Sequence, residues 1–510
     1  MEQFGLPYYY YGLWLCLALI VHVFLHAKLG AGKKIGLRMP PGPCQLPLIG
    51  SLHHLLSGLP HRAMRELSLR YGPLMLLRIC EHVVVVVSSA EIAREIFKGH
   101  DTAFEQRPSS PGIDEVYSGH GLGVIFAPYG EHWRLLRRIL VTELLSARRV
   151  EAFQRIRQDE AARLISSLAS SPPGQLVNVD QLLAEFIADS SVSAIFGDRL
   201  PDRAAFLKMM KHGTDFSSLF DLRDLFPSSR LVRMLPRSHK KERHRQKLSQ
   251  LFDDILQHHE ERRAAGAKDG EHEQDMIDVL MRMRKEGAMQ ASLNPGVIKA
   301  VAIDVFGAAL DTSTSTLQWA MAELIANPRV MEKAQLEIRR ALAGQERVQE
   351  AALKDLYYLK AVVKETLRLH PPGPFIPRVC LDDQKVQGFD VPKGTIVVTN
   401  AWAISRDPKY WEDSDSFMPE RFEGERPLDF RGLHFEFTPF GAGRRICPGI
   451  TFAQANIEIA LASLLYHFDW ELPSGVKKGE IDMTEAFGVT VKRKAELLLH
   501  PIPRIPLVYE

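Results

Sequence analysis

Helical spacing of apolar residues dominates this chain, and strand-like patterns are confined to short stretches. The first apolar run is continuous rather than periodic. From Leu6 to Ala27 there is no Asp, Glu, Lys or Arg. The 20 residues from Tyr8 to Ala27 suffice to cross a hydrocarbon core as a helix. Lys28, Lys33, Lys34 and Arg38 follow and only Glu2 precedes, so the positive charge places everything after Lys28 on the cytosolic side. A cleaved signal peptide would carry an apolar run of roughly 7–15 residues behind a basic residue. This run is longer and has no such residue. Residues 1–28 are therefore expected to be an uncleaved, single-pass membrane anchor. Residues 29–45 are basic and proline-rich. Within them Met39-Pro40-Pro41-Gly42-Pro43 reads as a stiff hinge, because proline fixes φ and favours an extended helix. The remainder, 46–510, is expected to be one large domain.

Beyond the hinge, β-branched and apolar residues predict strands at 74–79 and 83–87, then a short helix at 90–99. The stretch 109–130 is rich in Gly, Pro and Ser but carries Ile113, Tyr117, Leu122, Ile125 and Phe126. It reads as a long loop with apolar side chains, a type that usually serves function. Its Gly119-x-Gly121-x-Gly123 has the wrong spacing for a dinucleotide fingerprint. A charged helix is predicted over 238–263. Its basic run Lys240–Arg245 is interrupted by Glu242 and reads as a solvated face. An exposed loop follows at 264–274. The longest helix opens on the cap Asn294 and on Pro295, and ends at Asn327 before Pro328. It is mostly apolar, yet its middle reads Asp311-Thr312-Ser313-Thr314-Ser315-Thr316. Such groups are costly in a core unless hydrogen-bonded. Either the hydroxyls bond back to backbone carbonyls, or the helix opens locally toward a polar reaction site; taken alone the two are equal, and the cysteine loop at 439–449 favours the opening.

Composition narrows the class. The 510 residues are 45% apolar and 25% charged, which is ordinary globular usage. A formal charge of +2 offers no support for a nucleic-acid partner. The five cysteines are scattered, with no CxxC pair, so neither a disulfide framework nor a structural zinc site is expected, and a reducing compartment suits the chain.

One stretch stands apart. Pro439-Phe440-Gly441-Ala442-Gly443-Arg444-Arg445-Ile446-Cys447-Pro448-Gly449 puts Cys447 in a tight, glycine-bracketed loop just before an apolar helical pattern. Lone cysteines are usually inert small hydrophobes, which suits Cys16, Cys44, Cys80 and Cys380. That reading leaves the glycines and arginines around Cys447 unexplained. A thiolate there would be hard to keep charged unless a cation used it. The loop reads Phe-x-x-Gly-x-Arg-x-Cys-x-Gly and resembles the haem-ligating loop of the cytochrome P-450 monooxygenases.

The resemblance implies a mainly α fold with small β-sheets, one large haem domain preceded by a transmembrane helix. It implies haem b with Cys447 as axial thiolate, and with Phe440, Arg445 and Gly449 in the same loop around the cofactor. Glu365-Thr366-Leu367-Arg368 and Pro419-Glu420-Arg421-Phe422 match the family's buried triad, Glu365, Arg368 and Arg421. Trp133 and Arg137, in Trp133-Arg134-Leu135-Leu136-Arg137, match residues that grip a haem propionate together with Arg378 and Arg445. Ala308-Ala309-Leu310-Asp311-Thr312-Ser313 matches the oxygen-activating helix motif, with Thr312 as proton relay and Asp311 behind it. The chain departs once, since the motif's glycine is Ala309. The implied reaction inserts one atom of O2 into an unactivated C–H or C=C bond.

No stretch resembles a flavin or nicotinamide site. The resemblance therefore implies electrons from an NADPH-dependent diflavin reductase on the same endoplasmic reticulum membrane, docking near Arg134, Arg138 and Arg444. The anchor, the hinge and the phrase Asn400-Ala401-Trp402-Ala403-Ile404-Ser405-Arg406-Asp407-Pro408 look like the plant microsomal A-type branch, which serves specialised metabolism. Substrate contacts would then come from Ile113, Phe126, Val305, Ala308, Phe375, Ile376 and Val489. All are apolar, so a lipophilic small molecule is expected, a terpenoid ahead of a flavonoid or phenylpropanoid. Two rival readings remain. A reductase-independent haem-thiolate isomerase or dehydratase would tend to lose the helix threonine, which this chain keeps. A non-catalytic haem sensor would need neither relay nor docking face.

Overall fold

A computed structural model describes residues 36–505 apart from 57, 110–121, 173, 198–199, 201–202, 218–220, 236–237, 265–274, 287–292, 425–427 and 477. The expected anchor at 1–28 with Cys16, the contact residue Ile113 and nearly all of the 264–274 loop lie outside the described residues. No helix among the described residues is long and apolar enough to cross a membrane.

The architecture is mainly helical, with one four-stranded sheet and three smaller ones among the described residues. The helices that position the site are α1 (Pro60–Tyr71), α2 (Glu131–Ile139), α3 (Gln154–Ala169), α4 (Val179–Phe196), α5 (His239–Ala264), α6 (Pro295–Ala326), α7 (Tyr357–Leu369) and α8 (Ile450–His467). The strands that bear on the site are β1 (Leu74–Ile79), β2 (His82–Val87), β3 (Phe375–Val379), β4 (Ile396–Asn400), β5 (Glu485–Ala486) and β6 (Lys492–Arg493).

The long helix α6 is the axis of the domain. Asn294 caps it by accepting the Val297 N–H, Pro295 opens it, and 32 residues follow without interruption. It is apolar on all sides, as a fully surrounded helix must be. Its first half, with Val297, Val301 and Phe306, joins one apolar cluster that includes Phe196, Phe206 and Phe252. Its second half, with Leu317, Met321 and Leu324, joins another built from α3, α4, α7 and α8. The polar stretch 311–316 falls between these clusters.

The two predicted strands are present as β1 and β2 and form a hairpin, paired antiparallel from Leu74↔Val87 to Ile79↔His82. The chain returns almost 300 residues later to extend it. β4 pairs with β2 in parallel and β3 pairs with β4 antiparallel, giving the order β1-β2-β4-β3. Pro377 sits inside β3 opposite Val398. Proline lacks the ladder donor and is tolerated there because β3 is an edge strand.

The proline-rich segment is not a free tether at its far end. The Leu76 N–H of β1 donates to the Pro41 carbonyl at 2.7 Å. A Cβ at position 42 would lie 1.9 Å from the Leu76 carbonyl oxygen, so only glycine lets the chain lie this close to the sheet.

Glu365 and Arg368, one turn apart on α7, are both fully buried and joined by two hydrogen bonds of 2.7 Å. Arg368 also donates to the carbonyls of Ser405, Ser414 and Ser416. Glu365 Oε1 accepts the Met418 N–H at 2.9 Å and faces Arg421 Nε at 3.4 Å. Three sequence-distant segments thus meet on one satisfied ion pair. Glu365→Ala leaves a buried guanidinium without its carboxylate and is expected to destabilise the fold by roughly 3–5 kcal/mol. Chemical denaturation checks it, and a loss under about 1 kcal/mol would show that the pair does not hold these segments together.

Candidate active site

A cavity of about 550 Å³ lies under the middle of α6, bounded by segment 122–127, the start of β3, the Phe487–Val489 turn and the cysteine loop. Cys447, Phe440, Gly449 and Arg445 line it from the loop. Trp133 and Arg137 reach it from α2, and Phe375, Ile376 and Arg378 from β3. Val305, Ala308 and Thr312 face it from α6, and Phe126 and Val489 from the two connecting segments. The structure therefore gathers residues that are more than 350 positions apart in the chain.

The cysteine loop is shaped by its glycines. Gly441 and Gly443 take φ of +75° and +70°, a left-handed region that favours glycine. The turn they allow lets the Cys447 N–H donate to the Phe440 carbonyl at 3.0 Å. The Gly449 N–H then donates to Cys447 Sγ at 3.3 Å, just before α8 begins at Ile450. Burial pushes the Cys447 thiol up, and this outweighs the pull of the Gly449 N–H and of Arg137 and Arg107. The sulfur would rest as a neutral thiol unless a cation bonded to it.

Four guanidinium groups line the same cavity, Arg107, Arg137, Arg378 and Arg445, against the single carboxylate of Asp304. Burial lowers Arg378 to about 9 and Arg445 to about 10, and the charge of Arg107 adds to both shifts. Arg445 donates to the carbonyls of Glu105 and Ala127 at 2.6 and 2.7 Å and lies over the Trp133 ring at 4.7 Å. Arg378 donates to the carbonyls of Pro377 and Ala442 at 2.8 and 3.4 Å. The Trp133 indole N–H is donated to the Val124 carbonyl at 3.1 Å. So much positive charge held out of water calls for an anion.

Cytochrome P450 is the family whose model matches the chain, over residues 40–499. The chain belongs to this family. Desmethyl-deoxy-podophyllotoxin synthase of Sinopodophyllum hexandrum is 44% identical over 95% of this chain and 95% of its own length. Premnaspirodiene oxygenase of Hyoscyamus muticus is 41% identical over 95% of this chain and 96% of its own. A zebra fish cytochrome P-450 with abiraterone superposes with a TM-score of 0.74 at 26% identity, covering 87% of this chain and 99% of that one. This cytochrome P-450 is accordingly a monooxygenase of the plant type, and membership implies a haem on a cysteine thiolate. The cavity fits that group. Cys447 offers the sulfur, the apolar walls suit a flat macrocycle, and the surplus guanidiniums answer its two carboxylates.

The polar stretch of α6 divides by orientation. Thr312 Oγ1 lies on the cavity wall and donates to the Ala308 carbonyl at 2.7 Å, and Thr316 donates to the Thr312 carbonyl at 2.9 Å. Ser315 donates across to Val491 O at 2.8 Å. Back-bonding and one tertiary contact thus satisfy three of the five hydroxyls, whereas Thr314 Oγ1 is buried without a partner among the described residues. The helix is continuous here, so the expected local opening is absent. Asp311 points away from the cavity, and its Oδ1 accepts from Lys492 Nζ of β6 at 2.8 Å. The arginines expected on a docking face, Arg134, Arg138 and Arg444, are all exposed, and Arg444 is also engaged by Asp101, Glu105 and Tyr129.

Sequence reasoning missed Arg107 and Asp304. Arg107 precedes a proline in a stretch without periodicity, and nothing local marks it. Asp304 carried a signal, since it is an acid alone in the apolar first half of α6. Lys492 is about two-fifths exposed, so its pair with Asp311 contributes less than about 1 kcal/mol. Lys492→Gln is expected to leave the thermal midpoint within about 2 °C. A larger fall would mean that the pair braces the fold.

Proposed function

We propose that this chain is a membrane-anchored haem-thiolate monooxygenase that inserts one atom of O2 into a lipophilic plant specialised metabolite. A terpenoid is favoured, and the electrons come from an NADPH-dependent reductase on the same endoplasmic reticulum membrane. The observation that carries the reading is Cys447 beneath the threonine face of α6 in one cavity, with guanidinium groups at its side. When bound, the haem would supply oxygen activation, which a thiolate ligand promotes by donating electron density.

The chain's own residues do the rest. Cys447 would bind the iron, held at its sulfur by the Gly449 N–H. Arg137, Arg378, Arg445 and Arg107 would fix the carboxylates, since arginine stays charged and pairs bidentately. The Thr312 hydroxyl donates a hydrogen bond to the Ala308 carbonyl, so its oxygen is left to accept from water on the cavity side. In the relay the hydroxyl would turn away from Ala308, pass its own proton inward and take one from that water. Asp311, behind the wall, would take up a proton from solvent once it leaves Lys492 and hand it to that water.

Apolar surface from Val305, Ala308, Phe375, Ile376 and Val489 orients a hydrocarbon and excludes water. A relative named for premnaspirodiene supports a terpenoid, and one named for desmethyl-deoxy-podophyllotoxin keeps a phenylpropanoid-derived substrate as the alternative. The isomerase reading gains nothing from Thr312 being placed on the cavity wall. The anchor, the hinge and the reductase partner rest on the sequence.

Cys447→Ala is expected to abolish the thiolate-type absorption of the reduced carbonyl complex, and an unchanged spectrum would remove the ligand assignment. Turnover of a terpenoid panel in microsomes should require added reductase. In the same assay Thr312→Ala should keep its pigment and divert electrons to peroxide. Conversion without reductase, or equal peroxide yield in both proteins, would refute this mechanism.

A further inference from the structure

Segment 122–127 forms one wall of the cavity yet belongs to no helix or strand. Its backbone is held from two directions. On the side of the cysteine loop, Trp133 donates to the Val124 carbonyl, and Arg445 donates to the carbonyls of Ile125 and Ala127. On the opposite side a single acidic side chain faces it. Asp304 of α6 accepts the Ile125 N–H at Oδ2 over 3.0 Å, and the neighbouring Val124 N–H also turns toward it.

Asp304 stands between Ile303 and Val305 in the most apolar part of α6 and is only 7% exposed. An acid there is costly unless its oxygens are used. Burial raises its carboxyl to about 6, against the pull of the Ile125 amide and then of Arg107, so it is still mostly ionised at neutral pH. The loop is built to reach it. A Cβ at Gly123 would lie 2.3 Å from Asp304 Oδ2 and 2.9 Å from Cγ, so only glycine lets the backbone close on the carboxylate. The same stretch carries the wall residues Val124, Ile125 and Phe126.

We propose that Asp304 is a positioning residue for the substrate. Its carboxylate clamps the Gly123–Phe126 backbone to α6 and so fixes the cavity wall that selects substrate shape. The role of that wall rests on the monooxygenase reading above, whereas the clamp itself does not.

The test uses full-length, haem-loaded protein in lipid discs, with two readouts. The first is hydrogen exchange of the Ile125 amide. Asp304→Ala should speed it about tenfold, the loss of one charge-assisted hydrogen bond. Gly123→Ala should act in the same direction by displacing the carboxylate. The double variant should exchange no faster than Asp304→Ala alone, because the two changes break one contact. An unchanged rate in Asp304→Ala, or effects that multiply, overturns the clamp.

The second readout is optical titration with imidazole and 4-phenylimidazole. Imidazole needs only the iron, whereas the aryl group also needs the wall. Asp304→Ala should weaken 4-phenylimidazole about tenfold and imidazole less than about twofold. Equal weakening of both, or of neither, overturns the positioning role. If the alanine variant loses its pigment, Asp304→Asn takes its place. It keeps one acceptor oxygen and should show the same preference at smaller size, and its absence there overturns the role equally. A wild-type protein that gives no azole shift would instead sink the haem reading and leave the exchange result to judge the clamp.

Discussion

Four guanidinium groups and a thiol share one cavity, and the surrounding chain makes that tolerable. Burying like charges together is among the least favourable arrangements a fold can hold. Arg445 and Arg378 are kept in place by backbone carbonyls, which offset part of the cost without cancelling charge. The remaining imbalance defines the cavity as a receptor for an anionic group. The same reasoning explains the cysteine, whose sulfur is driven toward the neutral form by burial until a metal takes it.

The scaffold keeps these groups from relaxing. α6 runs between two apolar clusters and is clamped at both halves, so its polar middle cannot shift to find other partners. The cysteine loop is held from the other side, where Glu365 and Arg368 tie α7 to the coil that leads into it. Segment 122–127 has no ladder or helix of its own. It is hydrogen-bonded by side chains of α2, α6 and the cysteine loop, which makes this cavity wall and the guanidinium cluster one hydrogen-bonded body.

Local signals read well where the chemistry is local. Asn294-Pro295 and Asn327-Pro328 bracket α6 because a cap and a proline act within a turn. The hairpin β1–β2 follows from an uninterrupted valine run. The glycines beside Cys447 report the positive φ their loop needs. Reading failed where the meaning of a residue depends on what arrives from elsewhere. β3 carries no strand signal of its own, because Pro377 is tolerated only at an edge and which strand is an edge is known only once the sheet is assembled. Asp311 and Thr312 are adjacent in sequence, yet the 100° step of the helix sends one to Lys492 and the other to the cavity.

By itself, then, the sequence determined the class of chemistry, since a sulfur ligand in a glycine-shaped loop and a threonine on a buried helix are properties of short segments. Tertiary structure alone decided which charges face one another. It brought Arg107 to Arg378 and Arg445, turned Asp311 outward, and set Asp304 against the amide of Ile125. The physical reason is range. Backbone conformation is governed by neighbours a few positions away, whereas electrostatic and desolvation terms depend on distance in space, and that distance exists only after the chain has folded.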